Sequence, residues 1–343
     1  MSVNEAGRAP VMADVARRAG VSYQTVSRVI NDHPSVAPRT RERVSAAIAE
    51  LGYRPNAAAR ALVTRSNRTI GLVTVNISQY GPAHTMLGLE EAVRGAGYGL
   101  GVTILDDLSQ EAMTEAVDRF VAQSVDAVVV QATYDAAVHA VAGLRVPVPL
   151  VAVQAAHGDV PTASVDQLEG AGLATRHLLG LGHRTVHHVR GPHDSQEARA
   201  RVQAWRLTLA ATSAPVPEAE AGDWTAASGY DAGRRLVDRR AAGEDVTAVF
   251  AANDQMALGV LRALAEAGLR VPEDVSVVGF DDIPEAAYLS PPLTTVRQDF
   301  AELGRQCVEL VLRLLDGAAT SSEPVHPVLL VRGSAAPPTA RPA

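Results

Sequence analysis

The chain has 343 residues, of which 47% are hydrophobic and 20% charged, and its formal net charge is −7 at pH 7. This length allows a small head and two medium-sized lobes, and the negative charge argues against a protein that coats nucleic acid indiscriminately. The charge is unevenly placed, because residues 1–68 hold 11 Arg and 5 acidic residues whereas the rest holds 20 Arg and 33 acidic residues. A basic segment of this kind is typical of localised DNA binding.

The amino-terminal stretch MSVNEAGRAPVMADV has no apolar segment of the kind that directs export. The most apolar later stretch, 146–156, is short and contains Pro147 and Pro149. We therefore expect a soluble, cytoplasmic protein without membrane contact. The single cysteine, Cys307, excludes an intrachain disulfide and a cysteine-based zinc site.

Residues 13–31 contain two short helical patterns that are separated by Gly20, Val21 and Ser22. Each predicted helix has one apolar face, and the opposite face of the second helix is polar and rich in hydrogen-bond donors. Ser22 is placed to cap the start of the second helix. The pattern predicts a helix-turn-helix whose second helix reads DNA.

The polar face of the second helix carries side chains that suit a DNA groove. Gln24 can pair bidentately with adenine and Arg28 with guanine, both in the major groove. Other polar side chains of this segment can reach phosphates or base edges. An ordinary helical hairpin would leave these side chains without a role. The predicted DNA-binding residues here are Ser22, Tyr23, Gln24, Thr25, Ser27, Arg28 and Asn31.

Residues 11–62, with the segment YQTVSRV at their centre, resemble the DNA-binding head of the lactose/galactose repressor family of bacterial transcriptional regulators. The resemblance runs through nearly the whole chain and is strongest to the lactose repressor branch. One position departs at once, since Val11 stands where the family usually has a Thr or Ser hydroxyl that caps the first helix. The resemblance therefore implies that one helix cap is lost.

A third helix is predicted over 39–51, where Val44, Ile48 and Leu51 share one face. The following stretch could form a helix of only about two turns, which is marginal in water because nucleation is costly. The resemblance implies that this is the hinge helix, at about 55–62, which lies in the minor groove of DNA. Leu62 would then be the apolar wedge that kinks the DNA, and Asn56 would contact the backbone.

From residue 69 onward, short apolar runs alternate with longer amphipathic runs, which predicts parallel sheets with crossover helices. Strands are expected at 70–75, 100–105, 127–130 and 148–153, and in a second series at 185–189, 246–251, 275–280 and 325–331. The fold class is thus a helix-turn-helix head with a hinge helix, followed by a two-lobed α/β periplasmic-binding-protein-like domain.

The predicted domain boundaries follow from this pattern and from the way in which the resembled proteins are connected. The head spans 1–62. The first ligand-binding lobe spans 69–165 and 297–324, and the second spans 166–296 and 325–334. Residues 335–343, which are rich in Pro and Ala, are expected to form a disordered tail without the heptads that would make tetramers.

Ligands of open parallel sheets bind beyond the carboxyl ends of the strands, where this chain has polar residues. Asn76, Asn253 and Asp281 each follow a predicted strand, and Trp224 can offer an aromatic face. Sugars suit this mixture, because their hydroxyls bond to polar side chains while the ring packs on an aromatic. Taken singly, Asn253 and Asp281 could equally be helix caps, and Trp224 a core residue.

The resemblance assigns roles through motifs such as GP(x)6R at 191–199, GDW at 222–224 and VSVVGFDD at 275–282. It implies that Arg199, Asn253 and Asp281 bind sugar hydroxyls and that Trp224 stacks on the sugar. It also implies that Gln298 and Phe300 line the cleft. Gln154 and Val165 depart from the branch, which leaves the exact sugar open, and Tyr80 and His84 are candidates for the first-lobe wall. The predicted ligand-binding residues are Asn76, Arg199, Trp224, Asn253, Asp281, Gln298 and Phe300.

Other functions are disfavoured by the same residues. The Gly-rich stretch 95–101 follows a helix and precedes a strand, which is the reverse of a phosphate-binding loop. Four histidines between 183 and 193 lack the partners of a metal site. The adjacent carboxylates of Asp281 and Asp282 project differently and cannot easily flank one glycosidic bond. We expect no cofactor, no metal, no catalytic residue and no enzymatic activity.

The sequence therefore predicts a homodimeric transcriptional repressor of sugar-utilisation genes. Two-fold symmetry of the protein implies a palindromic operator, with paired hinge helices at its centre. A galactoside-like sugar between the lobes would release the DNA. The alternative is a corepressor-type or global regulator of the same family that binds DNA more tightly when liganded. A transport binding protein would share the lobes but lack the DNA-binding head.

Overall fold

The computed structural model describes residues 10–30, 33–53, 66–106, 108–154, 160–318 and 321–339. The chain forms two compact units, which divide between Asn67 and Arg68. No helix among the described residues is long and apolar enough to cross a membrane. The predicted hinge helix at about 55–62 lies outside the described residues.

The described part of the head contains the helices α1 (Met12–Ala19), α2 (Tyr23–Ile30) and α3 (Pro38–Leu51). Their apolar faces meet in a small core around Val15, Val26 and Val44, each of which is fully buried. α1 ends at Gly20, whose φ of 62° is left-handed and therefore favours glycine. The predicted third helix begins one residue earlier than expected, at Pro38, a residue that is favoured at the first position of a helix.

The first lobe begins with alternating strands and helices. In chain order these are β1 (Thr69–Val75), α4 (Tyr80–Gly95), β2 (Gly99–Leu105), α5 (Gln110–Ala122), β3 (Ala127–Gln131), α6 (Asp135–Gly143), β4 (Leu150–Val153) and β5 (Thr162–Ala163). The five strands form one parallel sheet in the order β2-β1-β3-β4-β5. Every residue of β3 is buried, as expected of a central strand that helices cover on both faces.

The second lobe repeats this design. It contains α7 (Gln167–Gly180), β6 (His187–Arg190), α8 (Gln196–Ala211), β7 (Glu220–Ala221), α9 (Ala226–Ala241), β8 (Ala248–Ala251), α10 (Asp254–Glu266), β9 (Ser276–Asp281) and β10 (Thr294–Arg297). One apolar layer packs β8 and β9 against α9 and α10, and another packs them against α7 and α8. The predicted strand at 185–189 is shifted to His187–Arg190.

The chain then returns to the first lobe through α11 (Phe300–Leu315), and it ends in the second lobe with β11 (Val328–Leu330). The second sheet has the order β11-β10-β9-β8-β6-β7, in which only β11 is antiparallel to its neighbour. The two lobes are connected by the segments before α7, between β10 and α11, and before β11. Two of these segments pair with each other, since Val325 N donates to Ser164 O (2.7 Å) and Asp166 N to Val325 O (2.9 Å).

Two predicted boundaries need correction. Arg297 was assigned to the first lobe, but it is the last residue of β10 and pairs with Asp281 in the second-lobe sheet. The tail was expected to be disordered from residue 335, yet 335–339 lie against the second lobe. Ala336 N donates to Ser276 Oγ (3.0 Å), and Thr339 Oγ1 donates to Glu273 O (2.9 Å). Proline-rich chain can be ordered in this way when its polar groups bond to a strand and to the segment that precedes it, here the start of β9.

Two glycines allow the returning helix α11 to pack closely on α4. A Cβ at Gly88 would lie 2.2 Å from Phe300 O, and a Cβ at Gly304 would lie 2.2 Å from Gly88 O. Real Cβ atoms do not approach backbone this closely. The two helix backbones are therefore in contact at this crossing, and the first lobe is completed by a segment that lies more than two hundred residues away in sequence.

We expect Gly88→Ala to lower the free energy of unfolding by about 1–3 kcal/mol, because the added methyl group forces the two helices apart. Gly95→Ala is the matched control on the same helix, since its Cβ would meet nothing within 4 Å. Urea unfolding of both variants measures the difference. Equal stability of the two variants would contradict the close approach of the helices.

Candidate functional site

The start of the second helix in the head is held by Ser22. Its Oγ accepts a hydrogen bond from Thr25 N (3.1 Å) and lies 2.9 Å from Thr25 Oγ1. Val11, at the start of α1, has no side-chain acceptor, but its own N–H donates to Asp14 Oδ2 (3.0 Å). In a capping box, the side chains of the first and fourth residues each accept from the other's main-chain N–H. Here Asp14 makes its bond to Val11, but the apolar side chain of Val11 cannot make the reciprocal one.

The helix that follows Ser22 presents its polar side chains to solvent. Tyr23 is 57% exposed, and Gln24 and Arg28 are also exposed. Thr25 and Ser27 are half-buried at the edge of this face, while Val26 and Val29 on the opposite face are buried. The predicted DNA-binding residues Asn31, Asn56 and Leu62 lie outside the described residues.

In the second compact unit, residues 68–343, a polar cavity lies between the two lobes. The first lobe contributes residues that follow β1 and β3. The second lobe contributes the first half of α8, the end of β9 and the segments after β7, β8 and β10. Such a position, beyond the carboxyl ends of parallel strands, is the one expected for this class of sheet. The lining consists of Gln79, Tyr80, Gly81, Pro82, Thr133, Tyr134, Ser195, Glu197, Arg201, Trp224, Asn253, Asp281 and Gln298.

A buried guanidinium lies at the centre of the second-lobe side. The Arg201 side chain is only 3% exposed, and its Nη2 lies 3.8 Å from Asp281 Oδ1. Arg201 Nε donates to Gln167 Oε1 (2.9 Å), Gln167 Nε2 to Gln298 Oε1 (2.8 Å), and Gln298 Nε2 to Asp281 Oδ1 (2.7 Å). These side chains form a closed polar ring that crosses from the second lobe to the lobe connection.

Burial has a strong effect on the carboxyl group of this ring. Desolvation raises the pKa of Asp281 to about 7, although Arg201 and the hydrogen bond from Gln298 lower it in part. The main chain of Asp281 has φ = 109°, a strained value for a residue with a side chain. Strain of this kind is typical of residues that the surrounding structure holds in place for binding.

The structure does not place Arg199 in the cavity. Its guanidinium is 43% exposed and forms an ion pair with Asp135, to which Nη1 donates over 2.7 Å. Residues two apart on a helix point in different directions, so Arg199 and Arg201 cannot share one face. The sugar-binding role predicted for Arg199 therefore has to be reassigned, and Arg201 is the arginine that lines the cavity.

Trp224 and Asn253 lie together on the second-lobe wall. Asn253 Oδ1 caps α10 by accepting from Met256 N (2.9 Å), and Asn253 Nδ2 donates to Trp224 O (3.0 Å). Trp224 has a left-handed φ of 76° and packs over Gly191, where a Cβ would lie 2.4 Å from the indole ring. Asn253 thus serves as a helix cap and as part of the cavity wall, so the two readings of this residue are compatible.

The other predicted ligand-binding residues divide into two groups. Gln298 lines the cavity, as do Trp224, Asn253 and Asp281. Asn76 is exposed after β1 and does not line it. Phe300 is buried in the first-lobe core, where its ring lies 6.1 Å from that of Tyr80.

The mouth of the cavity is closed by contacts between the lobes. Gln196 N donates to Thr133 O (3.0 Å) and Asp135 N to Asp194 O (3.0 Å), so that two loops pair like short antiparallel strands. Gln196 Nε2 also donates to Asp135 Oδ1 (2.7 Å). Together with the Arg199–Asp135 ion pair, these bonds join the lobes at one edge of the cleft.

The paired carboxylates at the end of β9, Asp281 and Asp282, do not face a common point. Asp281 belongs to the buried ring, whereas Asp282 accepts from Arg297 Nε (2.7 Å) and Arg332 Nη2 (2.6 Å). Two arginines therefore occupy the Asp282 carboxylate in a structural role. The arrangement does not provide the acid and nucleophile of a glycosidase.

Several residues that line the cavity were not predicted from the sequence. For Glu197 and Arg201, however, the spacing along the helix could have indicated their position. Glu197 and Arg201 are four residues apart on α8, and Trp205, which is fully buried, follows at the same spacing. An arginine in the apolar stripe of a helix has to be buried with a partner, which marks it as a candidate for a site. Thr133 and Tyr134 had no comparable signal, because their position depends on how the lobes meet.

A DNA-reading head followed by two α/β lobes around a polar cavity defines a ligand-responsive DNA-binding protein. Known families agree with this class. Residues 11–56 match the family described as bacterial regulatory proteins, lacI family, and residues 175–335 match a periplasmic binding protein-like domain. The lactose operon repressor of Escherichia coli K12 is 36% identical over 333 residues, which cover 93% of this chain and 88% of that protein.

Two further comparisons extend along nearly the whole chain. The HTH-type transcriptional regulator CelR of Thermobifida fusca is 37% identical over 346 residues, with 95% of this chain and 97% of that protein covered. A solved lac repressor dimer bound to operator and the anti-inducer ONPF superposes with a TM-score of 0.84 at 33% identity and covers 96% of this chain and 100% of that one. The chain belongs to the lacI family of bacterial transcriptional regulators. The predicted family and fold class are confirmed, and the family consists of DNA-binding regulators, not enzymes.

We expect Arg201→Met to lower the free energy of unfolding by about 3–5 kcal/mol at pH 8, because it leaves a carboxylate buried without its cation. Loss of the cation raises the folded-state pKa of Asp281 further above its unfolded value of about 3.9. The extra destabilisation therefore appears as the pH rises above about 7, the folded-state pKa of Asp281 in the wild type, and is larger at pH 8 than at pH 5. Arg199→Met, whose ion pair is exposed, is the control and should change stability by less than about 1 kcal/mol. Urea unfolding at both pH values tests this, and equal losses for the two variants would refute the burial of Arg201.

Proposed function

We propose that this protein is a transcriptional repressor that binds a palindromic operator as a homodimer and is released by a neutral, galactoside-like sugar. The observation that carries this proposal is the polar cavity between the lobes, where Arg201, Asp281 and Trp224 meet. Charged hydrogen-bonding groups next to an aromatic face suit the hydroxyls and the C–H face of a sugar ring. The membership of the family supports the DNA-binding half of the proposal.

The relatives support a glycoside as the ligand class. One of them is named for the lactose operon, and a solved regulator at 34% identity, with a TM-score of 0.68, is described as a CelR–cellobiose complex. Both named sugars are neutral disaccharides. We therefore place galactosides first and β-glucosides second among the sugars to be tested.

An exposed apolar face on the second lobe supports dimer formation. Tyr288 is 88% exposed and Leu258 is 42% exposed, and both lie near a groove that Leu261 and Leu289 help to line. Large apolar side chains clustered on a surface mark an interface more often than not. A two-fold dimer through this face would present two heads to the two halves of a palindrome.

The proposed release mechanism couples the cavity to the head through the orientation of the lobes. Sugar bound between the lobes would shift them, separate the two hinge segments at about 55–62 and let these segments unfold. DNA binding would then weaken, because Leu62 and Asn56 leave the minor groove. Linkage requires that operator DNA weakens sugar binding by the same factor.

The decisive experiment is a fluorescence anisotropy titration of a labelled palindrome, taken from DNA next to the gene, with galactose, lactose, allolactose, cellobiose or methyl β-glucoside. We expect one sugar to lower operator affinity at least about tenfold, a typical coupling. A sugar that tightens binding would instead establish the corepressor-type alternative. DNA binding without response to any sugar would reject the sugar-inducible proposal.

The DNA-binding face can be tested separately. We expect Gln24→Ala and Arg28→Ala each to weaken operator binding by about 5–150-fold, because each removes a bidentate base contact worth about 1–3 kcal/mol. Leu62→Ala should weaken it as well through loss of the wedge. All three variants should bind sugar as the wild type does, and Glu42→Gln, a change at an exposed position on α3, serves as the control. Unchanged operator affinity in the Gln24 and Arg28 variants would reject α2 as the reading helix.

A further inference from the structure

A buried hydroxyl of the first lobe faces the cavity without a partner. Thr133 is 3% exposed, and within the part of the chain that the structure describes its Oγ1 has no hydrogen bond. A buried hydroxyl without a partner is destabilising, because no hydrogen bond offsets the loss of its hydration. Thr133 also lines the cavity, so a ligand that enters could satisfy this hydroxyl.

A carboxyl group of the second lobe also lines this cavity and, like the Thr133 hydroxyl, has no hydrogen-bond partner among the described residues. Glu197 is half-buried near the start of α8, and no described residue forms a hydrogen bond or an ion pair with its carboxylate. Desolvation raises its pKa, and the charge of Arg201 offsets this only in part. The Arg201 guanidinium is itself committed to Gln167, Ala252 and the ion pair with Asp281.

The closed mouth of the cavity brings these two groups into the same region. The bond from Gln196 N to Thr133 O joins the main chain of Thr133 to the residue that precedes Glu197. Several other polar groups of the wall have protein partners. Asn253 uses both amide atoms within the protein, and Tyr134 Oη donates to Gln79 Oε1 (3.4 Å). Among the described residues, unused hydrogen-bonding capacity thus remains at Thr133 and Glu197, and also at the Tyr80 hydroxyl on the first-lobe side of the cavity.

We propose that Glu197 and Thr133 together select the effector: Glu197 accepts a hydrogen bond from a hydroxyl of a neutral sugar, Thr133 bonds to the same part of the ligand, and sugar acids and sugar phosphates are excluded. The inference rests on the proposed function and specifies its ligand class. The one described arginine of this wall, Arg201, already bonds to Gln167 and Ala252 and is paired with Asp281, so the described wall offers an anionic ligand no free cation. An anionic ligand would therefore be dehydrated without a partner charge and would oppose ionisation of Glu197 and Asp281.

The ligand bonds of this pair also connect the lobes, because Thr133 belongs to the first lobe and Glu197 to the second. A sugar hydroxyl that bonds to both groups favours the closed cleft over an open one. A ligand that reaches only one of them binds without this preference. The pair therefore separates sugars that change the lobe orientation from sugars that merely occupy the cavity.

The test uses full-length protein and calorimetric titration with galactose, lactose, cellobiose, galacturonate and glucuronate. For the neutral sugar that binds, we expect Glu197→Ala to weaken binding by about 10–100-fold and Thr133→Val by about 3–30-fold, as for hydrogen bonds to charged and neutral groups. Glu197→Gln keeps the shape and an acceptor but removes the charge. It should shift the affinity ratio of uronate to neutral sugar at least about fivefold towards the uronate.

Matched controls separate ligand binding from folding. Thr85→Val removes another buried hydroxyl that has no partner, on α4 and outside the cavity lining, and Glu218→Gln changes an exposed carboxylate of the same lobe. Both should bind sugar as the wild type does. Removing the unpartnered groups at Glu197 and Thr133 should leave the melting temperature of the ligand-free protein unchanged or raise it, while affinity falls.

The outcomes distinguish this inference from the proposed function. If a neutral sugar binds the wild type and Glu197→Gln, Glu197→Ala and Thr133→Val bind it equally well, the selection pair is wrong and the sugar-binding function stands. If galacturonate or glucuronate binds the wild type as tightly as the neutral sugar, exclusion of anions is refuted. If no sugar binds the wild type, both the proposed sugar class and this inference are refuted.

Discussion

The second lobe is organised around the need to satisfy one buried guanidinium. Arg201 lies over the ring of Phe280, with 3.8 Å between its Cζ and the ring centroid, and it bonds to the main chain at Ala252. A charged group in such surroundings is tolerated only when its donors find acceptors. The ends of β8 and β9, the start of α7 and the connection to α11 are all held at distances that provide them.

This arrangement also explains why binding residues come from distant parts of the chain. Gln167 lies just after the first connection between the lobes and Gln298 in the second, and their side chains are hydrogen-bonded to each other and to the Arg201–Asp281 pair. The cavity wall and the connections between the lobes therefore share residues. A change in lobe orientation that moved Gln167 or Gln298 would alter the hydrogen bonds of the same polar ring.

The sequence predicts the fold well where a local period decides the structure. The apolar faces of the head helices and the buried runs such as Ala127–Gln131 are read from spacing alone. The sequence predicts the site less well where the direction of a side chain around its helix determines whether that side chain lines the cavity. Arg199 follows the Gly-Pro motif at the expected spacing, but the helix turns it to the cleft mouth and turns Arg201 inward. Thr133 and the ordered tail at Ala336 depend on contacts between segments far apart in sequence.

The paired loops at the mouth have a kinetic consequence. Main-chain bonds from Gln196 N to Thr133 O and from Asp135 N to Asp194 O hold the lobes together at one edge of the cleft, so the cleft can widen at that edge only after they break. For a ligand that enters there, association waits for an opening step, and the observed rate reaches a plateau as ligand concentration rises. Escape is gated by the same step, so the lifetime of the complex is set by the mouth as well as by the cavity wall.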